Sequence, residues 1–313
     1  MFIGSGTQWK EDCREAGIAI SSADKAPLRL PGNVPSRPIP GNLWKRKEES
    51  DILSPEQIAH FEAFGFLLLP RLLDPGEAAT LKREAEEVFE EDRGGKPFSG
   101  ETTEFVQPFF ERRPFLFSLL DDDRIYDIGV DLCGPDFVLD QTEGRLRVEP
   151  TAWHAGDPFP SGLRWIKIGF YPETLTRDSG CLRVVPGTHI PRNPDPMAPL
   201  RRTGMDPGYR PFGLPQEEIP HVPLEVEPGD IVVFTESVLH GAFGGRPGRH
   251  QHAVNFFSNP RTDAQVAEVR EVHDRTRWSV RPTEAMLNSG RPRIRRMISR
   301  LVELGFEPAG PDG

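Results

Sequence analysis

The sequence predicts a mainly β fold with flanking α-helices, and three observations carry that prediction. After residue 136 come short apolar runs, Phe137–Leu139, Leu146–Val148, Trp165–Tyr171, Cys181–Val185, Val222–Val226, Ile231–Phe234 and His252–Phe257, separated by clusters of Gly, Pro and Asp. Helical patterns do not alternate with these runs, which speaks for a sandwich or barrel and against parallel β-α units. Helix-start signals stand before the runs and two helical stretches follow them. The number and spacing of the runs suit a double-stranded β-helix, the jelly roll of the cupin type.

Taken in order, residues 1–50 are rich in Gly, Pro and Ser, with Pro27, Pro31, Pro35, Pro38 and Pro40 closely spaced, and read as an irregular arm. Ser54-Pro55-Glu56-Gln57 combines an N-cap serine, a proline at the first helical position and Gln at the third. A helix should start there and end at Gly65. Phe66–Pro70 reads as a buried strand, and Asp74-Pro75-Gly76-Glu77 opens a second capped helix running to about Asp92. The polar, glycine-punctuated stretch 94–113 is a connector or a cover for an active site. Short helices are expected over Pro114–Leu120 and Ile125–Leu132, before Gly134-Pro135. The proline-interrupted insert 191–220 reads as a long loop near the mouth of a barrel, and helices are expected over Ala264–Thr276 and Pro292–Leu304. One domain is expected over residues 51–313, with its core at about 54–260 and a helical extension at 261–313.

Composition narrows the function. The 313 residues carry a formal net charge of −10, which argues against a nucleic-acid polymer as partner. Cys13, Cys133 and Cys181 are too few and too scattered for a disulfide framework or a zinc site, and they fit a reducing compartment. No window reaches the ~18 apolar residues of a membrane span, so a soluble, cytoplasmic protein with a small-molecule substrate is expected. Its oligomeric state is left open.

Non-heme Fe(II) centres commonly use two histidines and one carboxylate on one face, written His-x-Asp/Glu followed much later by His. His154, in Trp153-His154-Ala155-Gly156-Asp157, and His240, in Val238-Leu239-His240-Gly241, are the candidate pair. Four segments together resemble the phytanoyl-CoA dioxygenase family of Fe(II)/2-oxoglutarate oxygenases. They are Phe64–Pro70 behind its capped helix, Trp153-His154, the run Leu175–His189 ending in Pro-Gly-Thr-His, and Gly229–Phe234 leading to His240-Gly241 and Arg249. The resemblance spans roughly residues 54–260. It implies Fe(II), 2-oxoglutarate and O2 as cofactors, His154 and His240 as metal ligands, and a structural place for His189 outside the metal shell. It also implies Arg249 as the anchor for the distal 2-oxoglutarate carboxylate, since a guanidinium grips a carboxylate with two parallel bonds. Arg246 is the fallback. Lys167 interrupts the apolar Trp165–Ile168 run and faces either solvent or an anion in the barrel. His250 and His252 share a strand face and are expected to line the pocket together or not at all.

The sequence departs from the family at Gly156, where the usual text has the ligating Asp. His-x-Gly resembles the aliphatic halogenases, in which a halide takes the vacant position. The implied reaction converts O2 and 2-oxoglutarate to succinate and CO2, removes a hydrogen atom from an unactivated C–H bond and passes chlorine to the carbon radical. The competing reading is a hydroxylase in which a one-residue bulge turns Asp157 onto the metal. A third is a non-catalytic jelly roll that binds a metal or small ligand. The expected substrate is a freestanding, anionic small molecule of a natural-product pathway such as antibiotic biosynthesis, nucleotide-like or amino-acid-like. Arg164, Arg246, His252, Lys167, Arg201 and Arg202 are the side chains offered to it.

Overall fold

The computed structural model describes residues 52–156, 159–203, 206, 208–276 and 279–308. The expected N-terminal arm and Asp157 lie outside the described residues. The chain opens with helix α1 (Pro55–Phe64), strand β1 (Phe66–Leu69) and helix α2 (Pro75–Asp92). Both helices start with reciprocal capping boxes, Ser54 with Gln57 and Asp74 with Glu77, which satisfy otherwise orphaned first-turn N–H groups. Gly65 closes α1 at φ 84°, and a Cβ there would stand 2.7 Å from Nδ1 of His189. His189 in turn bonds the Glu62 carbonyl, so this histidine holds the turn and lies apart from the histidine pair described below.

Strand β2 (Glu104–Val106), helices α3 (Pro114–Leu119) and α4 (Asp123–Cys133), and strands β3 (Val138–Arg147), β4 (Thr151–His154), β5 (Trp165–Phe170) and β6 (Ser179–Val185) follow. Then come the short helix α5 (Ala198–Arg201), strands β7 (Val222–Leu224), β8 (Ile231–Thr235), β9 (Leu239–Gly244) and β10 (Arg249–Phe257), and helices α6 (Asp263–Arg275), α7 (Glu284–Leu287) and α8 (Pro292–Glu303). Six strands form one antiparallel sheet in the order β1-β8-β5-β10-β3-β2, and four form a second in the order β4-β9-β6-β7. The architecture is the expected double-stranded β-helix with flanking helices.

Side-chain alternation divides the large sheet. Its outer face carries Ile166, Ile168, Phe170, Val233, Val254 and Phe256, which pack under α2, α3, α4 and α8 in the largest apolar cluster. Burial on this scale, at roughly 25 cal/mol per Å² of apolar surface, is what holds the helices to the sheet. The inner face is apolar toward β1 and β8, where Phe66, Val232 and Phe234 meet Cys181, Leu182 and Val184 of the second sheet. Elsewhere it is charged.

Several expectations are revised. Val138-Leu139 and Leu146-Arg147 are the two ends of one continuous strand, β3, and the connector 94–113 contributes β2 to the sheet edge. In the helix-strand-helix opening, β1 joins the large sheet beside β8 while α2 packs on the sheet's outer face. The insert 191–220 supports β4: Leu200 and Ile219 pack on Trp153, and Trp153 Nε1 donates to the Gln216 carbonyl at 2.8 Å. Among the described residues no helix is long and apolar enough to cross a membrane.

Candidate active site

His154 ends β4 directly opposite His240 of β9, and their ring centroids are 4.1 Å apart. Each imidazole donates Nδ1–H to the carbonyl two residues earlier, His154 to Ala152 at 2.9 Å and His240 to Val238 at 2.8 Å. A carbonyl only accepts, so Nδ1 bears the proton in both rings and each Nε2 keeps its lone pair. Burial pushes both pKa values down, with the charges of Lys167 and Arg147 adding to it, which keeps the pair neutral at pH 7. Two adjacent neutral imidazoles with backbone-fixed tautomers fit a borderline divalent metal such as Fe(II). Among the described residues no third His, Cys, Asp or Glu completes a metal-binding group with them.

Both histidines line a cavity of about 200 Å³ between the sheets. Across from them β3 and β10 contribute Glu143, Arg145, Arg147, Arg249 and Gln251. These are alternate residues of paired strands, and Arg249 lies opposite Arg147. Arg249 is buried, and its Nη1 donates to the Gly244 carbonyl at 3.0 Å. It occupies a slot that two glycines leave open. A Cβ on Gly180 would lie 1.9 Å from Nη1, and one on Gly245 2.9 Å from it. Both glycines have positive φ, 91° and 94°, so the Asp178-Ser179-Gly180 turn is shaped around the guanidinium.

Lys167 points into the barrel, where it meets Glu143 and Glu236, each at 3.1 Å. Burial opposes its charge, but the two carboxylates outweigh burial and raise its pKa. Glu143 shows the reciprocal effect: burial would push it up, yet Lys167 and Arg145 bring it to about 2. Gly156 donates its N–H to the Glu236 carbonyl at 2.7 Å, and a Cβ there would meet Cβ of Glu236 at 3.1 Å. The Glu236 carboxylate accepts from Asn255 at 3.2 Å as well as pairing with Lys167.

Four expected substrate contacts, His252, Arg164, Arg246 and Arg201, are not at this cavity. His252 and His250 project from the opposite face of β10, where His252 stacks on Phe109 with centroids 4.9 Å apart and accepts or donates across 3.1 Å to His250. The alternation that ties them together puts both in the helix-facing core, because Arg249 and Gln251 take the cavity side. Arg164 pairs with Glu62 at 2.7 Å and bonds the Leu132 carbonyl. Arg246 is largely exposed and pairs with Glu173 at 2.6 Å. Arg201 is likewise engaged, by Asp195 at 2.7 Å. Cavity residues missing from the sequence reading include Glu143, Arg145, Arg147, Tyr171 and Gln251, and Glu236, which pairs with Lys167, is missing from it too. The signal for the first three was the spacing of charges two apart within Glu143-Gly144-Arg145-Leu146-Arg147.

A family model described as phytanoyl-CoA dioxygenase matches residues 61–253. A probable phytanoyl-CoA dioxygenase of Caenorhabditis elegans is 32% identical over 87 residues, 26% of this chain and 27% of that protein, so the match spans about a quarter of the relative's length. Among solved structures, the non-heme alpha ketoglutarate dependent carbocyclase SnoK from nogalamycin biosynthesis superposes with a TM-score of 0.52 at 20% identity, covering 68% of this chain and 88% of that one. The epimerase SnoN from the same biosynthesis gives 0.50 at 20% identity, covering 66% and 85%. At these identities the likeness to SnoK and SnoN is one of fold.

Proposed function

The chain belongs to the phytanoyl-CoA dioxygenase family, and on that premise we propose that it is a non-heme iron, 2-oxoglutarate-dependent oxidoreductase acting on a small molecule. The supporting observation is the cross-strand pair His154 and His240, both Nε2 lone pairs free of Nδ1 bonding, on a cavity whose far wall carries Arg249. His154 and His240 would hold the iron, and Arg249 the distal carboxylate of 2-oxoglutarate. When bound, that pair with O2 supplies the oxidising power to break an unactivated C–H bond. The chain's own residues do the rest: the carbonyls of Ala152 and Val238 fix the ring tautomers, Gly180 and Gly245 leave room for Arg249, and the inter-sheet packing of Phe234 and Leu182 limits water.

The finer reading is halogenation, with chloride in the position left by Gly156. Two features support it. Gly156 offers no side-chain ligand, and Glu236, which touches it, is engaged by Lys167 and Asn255. The cavity wall across from the histidines carries more cationic than anionic side chains even with Lys167 paired to Glu143 and Glu236, which favours an external anion beside them. The hydroxylase reading needs Asp157 as the third ligand.

The test is chloride titration of the protein loaded anaerobically with Fe(II) and 2-oxoglutarate, alongside Gly156→Asp and Asp157→Ala. Halogenation predicts saturable chloride binding that Gly156→Asp abolishes and Asp157→Ala leaves intact. Loss of iron in Asp157→Ala, with no chloride binding in the wild type, would establish the hydroxylase. A non-catalytic binder would release no succinate when Fe(II), 2-oxoglutarate and O2 are supplied together.

A further inference from the structure

We infer that the cavity holds a second anion site, centred on Arg147 and distinct from Arg249, which takes a carboxylate or phosphate group of the substrate. The inference rests on the iron and 2-oxoglutarate reading above and specifies the substrate class for that site.

The argument starts from which cations are already matched. Lys167 lies between Glu143 and Glu236. Arg145 pairs with Glu143 at 3.1 Å and lies 3.9 Å over the Phe105 ring, so its charge is shared at the cavity rim. Arg249 and Arg147 are different. Neither has a carboxylate within ion-pair distance among the described residues. Among the described residues Arg249 bonds one backbone carbonyl, and Arg147 bonds the neutral Oε1 of Gln251 alone, through Nε at 2.8 Å. The planar fork of Arg147 therefore keeps its Nη donors for something else. Arg249 is buried and Arg147 half-buried, so a guanidinium left without an anion there carries a desolvation cost, and two guanidiniums opposite one another in a strand pair add repulsion. A stable fold tolerates this arrangement at a site built to receive anions.

Charge counting shows that one anion is too few. Arg145, Arg147, Lys167 and Arg249 face Glu143 and Glu236, an excess of two positive charges. Bound Fe(II) and the 2-oxoglutarate dianion cancel one another, and a chloride at the Gly156 position would still leave one positive charge for a further anion. Arg249 suffices for the distal carboxylate of the cosubstrate, since its slot fixes it in one position. Arg147, one strand away on the same face, is then free for a group on the second organic ligand. Of the residues from which sequence suggested anion recognition, Arg164, Arg201 and Arg246 pair with Glu62, Asp195 and Glu173 respectively, Lys167 pairs with Glu143 and Glu236, and Arg202 does not line the cavity.

The experiment titrates full-length protein, loaded anaerobically with Fe(II) and 2-oxoglutarate, with methyl phosphate and with propionate by calorimetry. At least one probe should bind the loaded wild type, and whichever binds more tightly identifies the group. Arg147→Gln should weaken that probe at least about tenfold, the loss expected for a charge-assisted bond, while changing 2-oxoglutarate affinity less than about twofold. Arg249→Gln should do the reverse for 2-oxoglutarate. Arg147→Lys keeps the charge without the fork and guards against misfolding of the neutral variant. It should weaken the probe and spare 2-oxoglutarate. The inference is overturned if either Arg147 variant weakens 2-oxoglutarate as much as Arg249→Gln, which would make the two arginines one clamp. It is equally overturned if the loaded wild type binds neither probe. A wild type that binds no 2-oxoglutarate at all would instead remove the parent reading, and this site with it.

Discussion

Gly180→Ala tests whether the arginine slot matters to function. The new Cβ would fall 1.9 Å from Nη1 of Arg249 and 2.9 Å from the Gly244 carbonyl, so the guanidinium must leave its place. The backbone at Gly180 has φ 91°, where an L side chain costs about 1–2 kcal/mol. Together with local displacement, a stability loss of roughly 1–3 kcal/mol follows, or about 2–4 °C in Tm for each kcal/mol in a domain of this size. The functional effect should be larger. A displaced Arg249 forfeits charge-assisted bonds to the 2-oxoglutarate carboxylate, about 1.5–3 kcal/mol, which is roughly a ten- to hundredfold rise in Kd. Calorimetric titration of 2-oxoglutarate into the Fe(II) protein measures it directly. The decisive comparison is a double-mutant cycle with Arg249→Gln. If Gly180 acts through the arginine, Gly180→Ala adds almost nothing to the affinity already lost in Arg249→Gln. Wild-type affinity in Gly180→Ala, or independent losses that sum in the double variant, would refute the slot.

Three further outcomes follow from the same geometry. Gly156→Asp should raise iron affinity and abolish halide binding, with part of the gain offset because its Cβ would stand 3.1 Å from Cβ of Glu236; iron titration of Gly156→Asp against Gly156→Asp/Glu236→Gly checks this, and equal affinities would show that the Glu236 side chain does not interfere. His252 is buried with its pKa held well below 6.5 by burial and by His250. The unfolded chain therefore takes up a proton below about pH 6.5 that the native state refuses, and stability falls with pH in that range. His252→Phe should remove this term and gain on the wild type by about 2 kcal/mol between pH 7 and pH 5 in urea denaturation, whereas an unchanged difference would place the proton elsewhere. Neutralising Arg164 or Arg246 should leave binding of 2-oxoglutarate and of small anions within about twofold, since their partners are Glu62 and Glu173 and exposed pairs of this kind contribute ~0–1 kcal/mol; a tenfold loss in anion binding would return them to the site.

How much of this was legible depended on whether the signal was local. The capping boxes at Ser54 and Asp74 need only four residues each, and both helices start where the sequence says. His154 and His240 were legible as a pair through the surrounding motifs, although β9, Leu-His-Gly-Ala-Phe-Gly, has too few large apolar residues to announce a strand. Asp140 to Arg145 reads as a polar turn between two apolar runs, yet β3 passes straight through it. Its Glu143 and Arg145 face the cavity and are matched there by Lys167 and by each other, so tertiary pairing overrides the local preference. For β10 the alternation was legible and its phase was not: His250 and His252 had to share a side, but which side depends on Arg249 finding the space at Gly180, some seventy residues away in the chain. Once that phase is fixed, antiparallel register places Arg147 beside Arg249 without further choice. The unmatched charge at the centre of the substrate inference is thus a product of strand pairing. Period-two charges on a strand with apolar residues on its other face are the sequence trace of a charged barrel interior, and in β3 that trace was present from Glu143 to Arg147.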